Sequence, residues 1–293
     1  MSLEIDSSTG LLGLIGWPVH HSISPRIHNA AFKAEGLDLL YLSFPVPPAA
    51  LPAAIAGALA LGLVGLNVTY PHKEAVIPLL DDLSEEAKLI GAVNTLHLQE
   101  GRATGYNTDG RGWAASLRAE QNFELQGSRL LVIGAGGAGR AISVQAALSG
   151  AESIYLADRE TGRARKLARL LNEQIKVGLA QPLEIGGREW KAALRDLQLV
   201  VDATPLGMKP EDPLAFDPGL LSPASLVVDL VYNPAETSLL KEVRRRGIAG
   251  MNGLGMLVHQ AALSWEIWAG REAPLGLMKE EAARALYGIA ADE

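Results

Sequence analysis

Three short stretches of this 293-residue chain carry residue types that could do chemistry. Gly134-Ala135-Gly136-Gly137-Ala138-Gly139 has the G-x-G-x-x-G spacing, which suits an anion held on backbone. Gly134 permits a tight turn, Gly136 lets the backbone approach a pyrophosphate, and Gly139 lets a helix pack closely while its free N–H groups face the charge. Asp158 stands about 20 residues further on, where an acid takes the ribose hydroxyls of a dinucleotide. A purely structural glycine turn, or a different nucleotide ligand, is the alternative. In Ser22-Ile23-Ser24-Pro25, Ser24 is expected as a helix N-cap and Pro25 as the first helical residue, so that two hydroxyls and several N–H groups converge on one point suited to a carboxylate. The plainer reading has Ser24 capping its helix and Ser22 bonding the turn. The third stretch is divided: Asn67-Val68-Thr69-Tyr70-Pro71-His72-Lys73, Gly91-Ala92-Val93-Asn94-Thr95 and Asn107-Thr108-Asp109-Gly110 each bring polar groups to the end of an apolar run. Lys73 is either a solvated surface ammonium or an acid/base oriented by Asp109, and the local pattern leaves both open. His20, His21 and His28 have no acid or cysteine beside them, so no metal site is expected.

These residues need elements to hold them. Ser128–Ile133 is a short apolar run ending in the glycine cluster and followed by helix-like Arg140–Leu148, which reads as strand, tight turn, helix. Ser153–Ala157 is a second strand ending at Asp158, a charged helical segment follows from Thr161 to Leu171, and Leu197–Ala203 and Leu226–Val231 are expected as later strands. Alternation of this kind implies a parallel sheet covered by helices on both faces. Leu39 to Pro71 contains no charged residue, but Pro45, Pro47, Pro48 and Pro52 break any single spanning helix. It reads instead as a strand around Leu39–Val46, an Ala-rich helix from about Ala49, and a strand near Val64–Val68. The tail reads as helix from Leu254 through Trp268 and again from Leu277.

Composition narrows the class. With 48% hydrophobic and 20% charged residues the chain can bury a large core, and a net charge of −7 disfavours nucleic acid and anionic lipid as partners. Cysteine is absent, which removes disulfide, iron–sulfur and thiolate-zinc chemistry. The first fifteen residues hold Glu4 and Asp6 and no Lys or Arg, so a secretory signal is not expected and a cytoplasmic protein is.

Taken together and in order, these segments resemble the shikimate dehydrogenase family. The likeness includes the S-x-S-P cluster, Asn-Val-Thr-x-Pro-x-Lys at 67–73, Gly-Ala-Val-Asn-Thr at 91–95, Asn-Thr-Asp-Gly at 107–110 and the glycine-rich turn. It continues through Ala203-Thr204-Pro205-Leu206-Gly207-Met208, Asp229-Leu230-Val231-Tyr232-Asn233-Pro234 and the segment from Gly253 to Gln260. The resemblance implies an α/β protein with an N-terminal α/β substrate domain (1–109 and 254–293) and a Rossmann-type, doubly wound dinucleotide-binding domain (110–253). The C-terminal helices would pack back on the first domain and the active site would lie in a cleft. It implies reversible NAD(P)H-dependent reduction of 3-dehydroshikimate to shikimate, on the route to the aromatic amino acids, by a monomer or homodimer. Lys73 and Asp109 would be catalytic. Ser22 and Ser24 would hold the substrate carboxylate, Thr69, Lys73, Asn94, Asp109 and Gln260 its ring hydroxyls, and Tyr232 would line the cleft. Gly134, Gly136, Gly137, Ala138, Gly139, Asp158, Arg159 and Thr204 would bind the dinucleotide, with Met208 and Gly253 by the nicotinamide. A quinate/shikimate dehydrogenase using NAD, or a non-catalytic dinucleotide-binding regulator on the same fold, are the alternatives.

Three departures from the family pattern stand out. NADP-using members carry Asn-Arg-Thr after the second strand of the dinucleotide domain, where this chain reads Asp158-Arg159-Glu160-Thr161. The two acids favour the ribose diol of NAD, whereas Arg159 and Arg163 could bind a 2′-phosphate, so NADP and NAD both stand. Asp202 occupies a position expected to be Asn, and His72 one expected to be apolar.

Overall fold

A strand covered on both faces must be apolar at nearly every position, and β1 (Gly10–Gly16) is buried without a break from Leu12 to Gly16. It belongs to the first of two units, Met1–Gly112 with Val258–Glu293. The computed structural model describes residues 5–288. Parallel neighbours flank β1: β2 (Leu39–Pro45) after α1 (Ser24–Ala34), and β3 (Gly65–Val68) after α2 (Leu51–Ala60). The uncharged stretch 39–71 therefore folds as strand, helix and strand. Beyond it come α3 (His72–Ala75), β4 (Asp82–Leu83), α4 (Glu85–Ile90) and a hairpin of β5 (Thr95–Gln99) and β6 (Arg102–Tyr106). The hairpin pairs antiparallel to β3, giving a mixed sheet in the order β2-β1-β3-β5-β6-β4.

The chain leaves this unit within α5 (Asp109–Gln121). The second unit, Trp113–Leu257, contains β7 (Arg129–Ile133), α6 (Gly137–Leu148), β8 (Ser153–Ala157), α7 (Thr161–Gln174), β9 (Ala180–Pro182) and α8 (Trp190–Arg195). These are followed by β10 (Leu199–Asp202), β11 (Leu226–Asp229), α9 (Ser238–Arg245) and β12 (Ala249–Met251). All six strands run parallel in the order β12-β11-β10-β7-β8-β9. The order reverses between β7 and β10, where a doubly wound sheet opens a crevice beyond its strand ends. The chain returns to the first unit within α10 (Leu254–Ala269), and α11 (Leu275–Tyr287) then packs on α1. The divisions fall after Gly112 and Leu257, three and four residues beyond the sequence expectation. Among the described residues no helix is long and apolar enough to cross a membrane.

Both sheets end on an edge strand closed by the same device. At β2 the Tyr41 N–H donates to Asn29 Oδ1 at 2.8 Å while the Tyr41 carbonyl accepts Asn29 Nδ2 at 2.9 Å. At β9 the Ala180 N–H donates to Asn172 Oδ1 at 2.8 Å and the Ala180 carbonyl accepts Asn172 Nδ2 at 2.9 Å. Asn29 belongs to α1 and Asn172 to α7, and a proline without an N–H, Pro45 or Pro182, ends each strand.

Candidate active site

The catalytic candidates of the first unit stand where its strands end. Past β3 the Thr69 N–H donates to the Ile15 carbonyl at 2.9 Å, and the Thr69 carbonyl accepts the His72 N–H at 2.9 Å, which turns the chain into α3. The buried His72 ring has Nε2 2.7 Å from the Val46 carbonyl. A carbonyl only accepts, so the imidazole donates and pins the short helix, which is the use of a polar residue at a position expected to be apolar. Lys73 is thereby aimed at Asp109, with Nζ 2.6 Å from Oδ2. The Lys73 side chain keeps 23% of its surface open and Asp109 only 7%, so the ammonium faces solvent on one side and its counter-ion on the other. Asp109 is held by its own N–H donating to Asn107 Oδ1 at 3.0 Å and by Asn94 Nδ2 donating to Oδ1 at 2.8 Å. The Asn94 NH2 group also reaches Thr108 Oγ1 at 2.9 Å and Gln260 Oε1 at 3.3 Å. Gln260 comes this close because residue 112 is glycine: a Cβ there would lie 2.5 Å from the Gln260 nitrogen. Nearby, Glu86 of α4 has its carboxyl pushed up chiefly by burial, with Arg111 opposing and the Asp109 charge adding.

The serine cluster differs from its expected geometry. Ser24 is the first residue of α1, the cap position falls to Ile23, and no side chain caps the helix. The Ser24 hydroxyl is engaged elsewhere, because Ser22 Oγ donates to it at 3.2 Å and it bonds the Tyr41 phenol. Ser22 Oγ also accepts the Ser24 N–H at 3.2 Å. Two half-buried hydroxyls therefore lie side by side with no helix end to serve. Tyr41 donates on to Asn67 Oδ1 at 2.7 Å, and Asn67 Nδ2 reaches the Asn94 carbonyl at 3.1 Å. Tyr41, Asn67 and the buried Thr95, Thr108 and Ser264 joined to them were not singled out by sequence reasoning. Asn67, Thr95 and Thr108 stand inside quoted motifs, but nothing local marks Tyr41 or Ser264.

The dinucleotide candidates belong to the second unit. Gly134 has φ +99°, and a Cβ there would lie 2.8 Å from the Ala203 carbonyl, while one at Gly139 would overlap the Gly134 carbonyl. Gly136 is different: its φ of −77° admits any residue, yet nothing lies within 4 Å of a Cβ placed on it. Open space is what this glycine preserves, at the first turn of α6 where Gly137 and Ala138 present unpaired N–H groups. These residues fit a pyrophosphate. Asp158 Oδ2 accepts the Ala135 N–H and Oδ1 the Glu160 N–H, each at 2.8 Å, so the carboxylate ties the glycine turn to the end of β8. Arg159 is exposed, and Glu160 pairs with Arg163 at 3.1 Å.

At the ends of β10 and β11 two buried acids face each other in register, Asp202 and Asp229. Burial pushes the Asp202 carboxyl up to about 7, against its bonds to Thr204 and with the Asp229 charge adding. Burial also raises Asp229, which accepts Thr237 Oγ1 at 2.6 Å. Asp202 Oδ1 accepts the Thr204 N–H at 2.9 Å and so shapes the loop that leads to the exposed Met208. A Cβ on Gly253 would overlap the Leu230 carbonyl, and the Tyr232 phenol is pushed up by burial.

Comparisons with known proteins agree over nearly the whole chain. Residues 14–96 match the family profile described as shikimate dehydrogenase substrate binding domain, and residues 253–282 that of the shikimate 5′-dehydrogenase C-terminal domain. A protein of Methanopyrus kandleri named shikimate dehydrogenase (NADP(+)) is 47% identical over 282 residues, covering 96% of this chain and 97% of its own. The structure of shikimate 5-dehydrogenase from Listeria monocytogenes in complex with shikimate and NAD is similar with a TM-score of 0.89 and 37% identity, over 94% of this chain and 97% of that one. That of Thermus thermophilus in complex with NADP(H) and shikimate gives a TM-score of 0.85 and 34% identity, over 94% and 100%.

Proposed function

The chain belongs to the shikimate dehydrogenase family, and we propose from its site that it interconverts 3-dehydroshikimate and shikimate with a nicotinamide dinucleotide. The observation that carries this is the Lys73–Asp109 pair, 2.6 Å apart, with Asn94 donating to the same carboxylate at 2.8 Å and also reaching Gln260. The dinucleotide, when bound, supplies or accepts the hydride at C3 of the ring. Lys73 supports the proton half of the reaction. In reduction the carbonyl π pair moves onto O3, the ammonium stabilises the growing charge and gives O3 its proton, and in oxidation the neutral amine takes that proton back. Asp109 orients Lys73 and accepts a ring hydroxyl, and Thr69, Asn94 and Gln260 hold the remaining hydroxyls. Ser22 and Ser24 donate to the ring carboxylate, a charge that two adjacent hydroxyls and a nearby backbone N–H suit. Tyr232 is a further substrate-binding residue in this reading. Gly134, Gly136, Gly137, Ala138 and Gly139 hold the pyrophosphate, and Thr204, Met208 and Gly253 serve the nicotinamide end.

We take NADP as the preferred dinucleotide. Both oxygens of Asp158 already accept backbone N–H groups, and Glu160 is partly neutralised by Arg163, which leaves the Arg159 guanidinium for a 2′-phosphate. We place the enzyme in the cytoplasm as a monomer or homodimer, two states that sedimentation of the purified protein separates. The deciding assay follows the absorbance of reduced nicotinamide with shikimate and each dinucleotide in turn. Turnover with shikimate and a higher kcat/KM for NADP are expected. An inert protein that still binds dinucleotide would make this a regulator on the same fold, and faster turnover of quinate than of shikimate would make it a quinate enzyme.

A further inference from the structure

The Asn94 amide can be turned two ways that differ little in shape, and only one puts its NH2 group on Asp109. Two donors select that one, as the Thr108 N–H and the Thr95 hydroxyl each reach Asn94 Oδ1 at 2.9 Å. A hydroxyl has a single proton. Thr95 can direct it at Asn94 only when its other neighbours donate to its oxygen, and those neighbours are Asn67 Nδ2 at 3.1 Å and Ser264 Oγ at 2.7 Å. Asn67 is itself fixed, because its Oδ1 accepts the Tyr41 phenol at 2.7 Å and its NH2 group must therefore face Thr95, Ser264 and the Asn94 carbonyl. The Ser264 hydroxyl has two acceptors in reach, Thr95 Oγ1 at 2.7 Å and the Gln260 carbonyl at 3.0 Å, and the nearer takes its proton while the Thr108 hydroxyl, also at 3.0 Å, keeps the carbonyl satisfied. All of these side chains are buried, so solvent water does not substitute for a missing member.

We propose that Ser264 and Asn67 are positioning residues for the reaction: they turn the Thr95 hydroxyl toward Asn94 and so keep the Asn94 NH2 group on Asp109, the partner of Lys73. Ser264 lies 169 residues from Thr95 and 197 from Asn67 in the sequence, and it touches neither Lys73 nor Asp109. Its effect on the catalytic pair passes through the orientation of one amide. The role rests on the reaction proposed above.

The test is a kinetic double-mutant cycle on the full chain, with Ser264→Ala, Thr95→Val and Thr95→Ser made in wild-type and Asn94→Ala backgrounds and assayed for shikimate oxidation. Ser264→Ala and Thr95→Val are expected to lower kcat about 5–20-fold with KM changed less than about 2-fold, and Thr95→Ser, which keeps the hydroxyl, to stay near wild type. In the Asn94→Ala background, where no amide remains to be held, the same substitutions should change kcat by less than about 2-fold. Equal losses in both backgrounds, or a Thr95→Ser loss matching Thr95→Val, would overturn the role while leaving the reaction in place. If Ser264→Ala does not fold, the two Thr95 variants carry the comparison. A wild-type chain that fails to oxidise shikimate would overturn the reaction and the positioning role with it.

Discussion

Lys73 and Asp109 are 36 residues apart in the chain and 2.6 Å apart in space, the first on a four-residue helix after a strand and the second opening α5. Lys73→Ala should lower kcat by about 10²–10⁴ with a modest change in substrate affinity, because the proton donor is lost and the ring contacts remain. Asp109→Asn should also be slow, since an amide can hold a hydroxyl but offers no charge to the ammonium. Single-turnover kinetics with 3-dehydroshikimate checks both, and a near-normal rate for Lys73→Ala would remove it from the chemical step.

The serine pair should act on binding rather than on the rate. Ser22→Ala and Ser24→Ala are each expected to raise KM for shikimate, with a hydrogen bond to a charged group worth about 1.5–3 kcal/mol. Calorimetry with a ring analogue lacking the carboxylate is the control. An equal loss for that analogue would assign the hydroxyls to the fold alone, through the contact of Ser24 with Tyr41.

Cofactor choice should respond to Glu160. Replacing it by Gln removes an exposed charge and frees Arg163, so the NADP-to-NAD ratio of kcat/KM is expected to rise about 1.5–5-fold, the range an exposed charge commands in water. Arg159→Ala should move the ratio the other way. A ratio insensitive to both would place the 2′ position of the ribose away from these side chains.

Asp202 should make the second unit pH-sensitive. Its folded value of about 7 lies above the ordinary 3.8, so the native state holds a proton that the unfolded chain has released between those limits. The stability cost is absent below about pH 4, grows as pH rises toward 7 and is constant above. Asp202→Asn, which can keep the bond to the Thr204 N–H, is therefore expected to stabilise by about 2–4 kcal/mol at pH 8 and by almost nothing at pH 4. Thermal melts at the two pH values test this, and equal gains at both would mean that the carboxyl does not titrate in that window.

The features legible in the sequence are those set by a residue's own backbone or by short spacing. The glycine turn is one, because its constraints come from β7 and α6 on either side. β8 matches its sequence range residue for residue, and α10 differs only at its last residue. The cap assigned to Ser24 failed because the helix starts one residue early, with Ile23 at the cap position and Ser24 already inside α1, and the Ser24 hydroxyl bonds Tyr41 of β2, which no local spacing shows. The β5–β6 hairpin was missed, although its period-two alternation and the Glu100-Gly101 turn between its strands are local signals. The bonds of Asp158 to Ala135 and Glu160 were not legible, because they depend on how the turn folds over β8. Ser264 carried no local signal at all, since every side chain it bonds lies more than 150 residues earlier.

Asn29 and Asn172 close the outward hydrogen-bonding groups of one residue each, Tyr41 of β2 and Ala180 of β9, and each belongs to a helix that packs against that strand. An unclosed edge is a template on which further chains can add. At Tyr41 and Ala180 that template is interrupted for as long as α1 or α7 stays docked, and it is uncovered there when the helix leaves. Solubility and helix docking are thus one property of this chain: on heating, intermolecular β-structure should begin when α1 or α7 detaches, before either sheet comes apart.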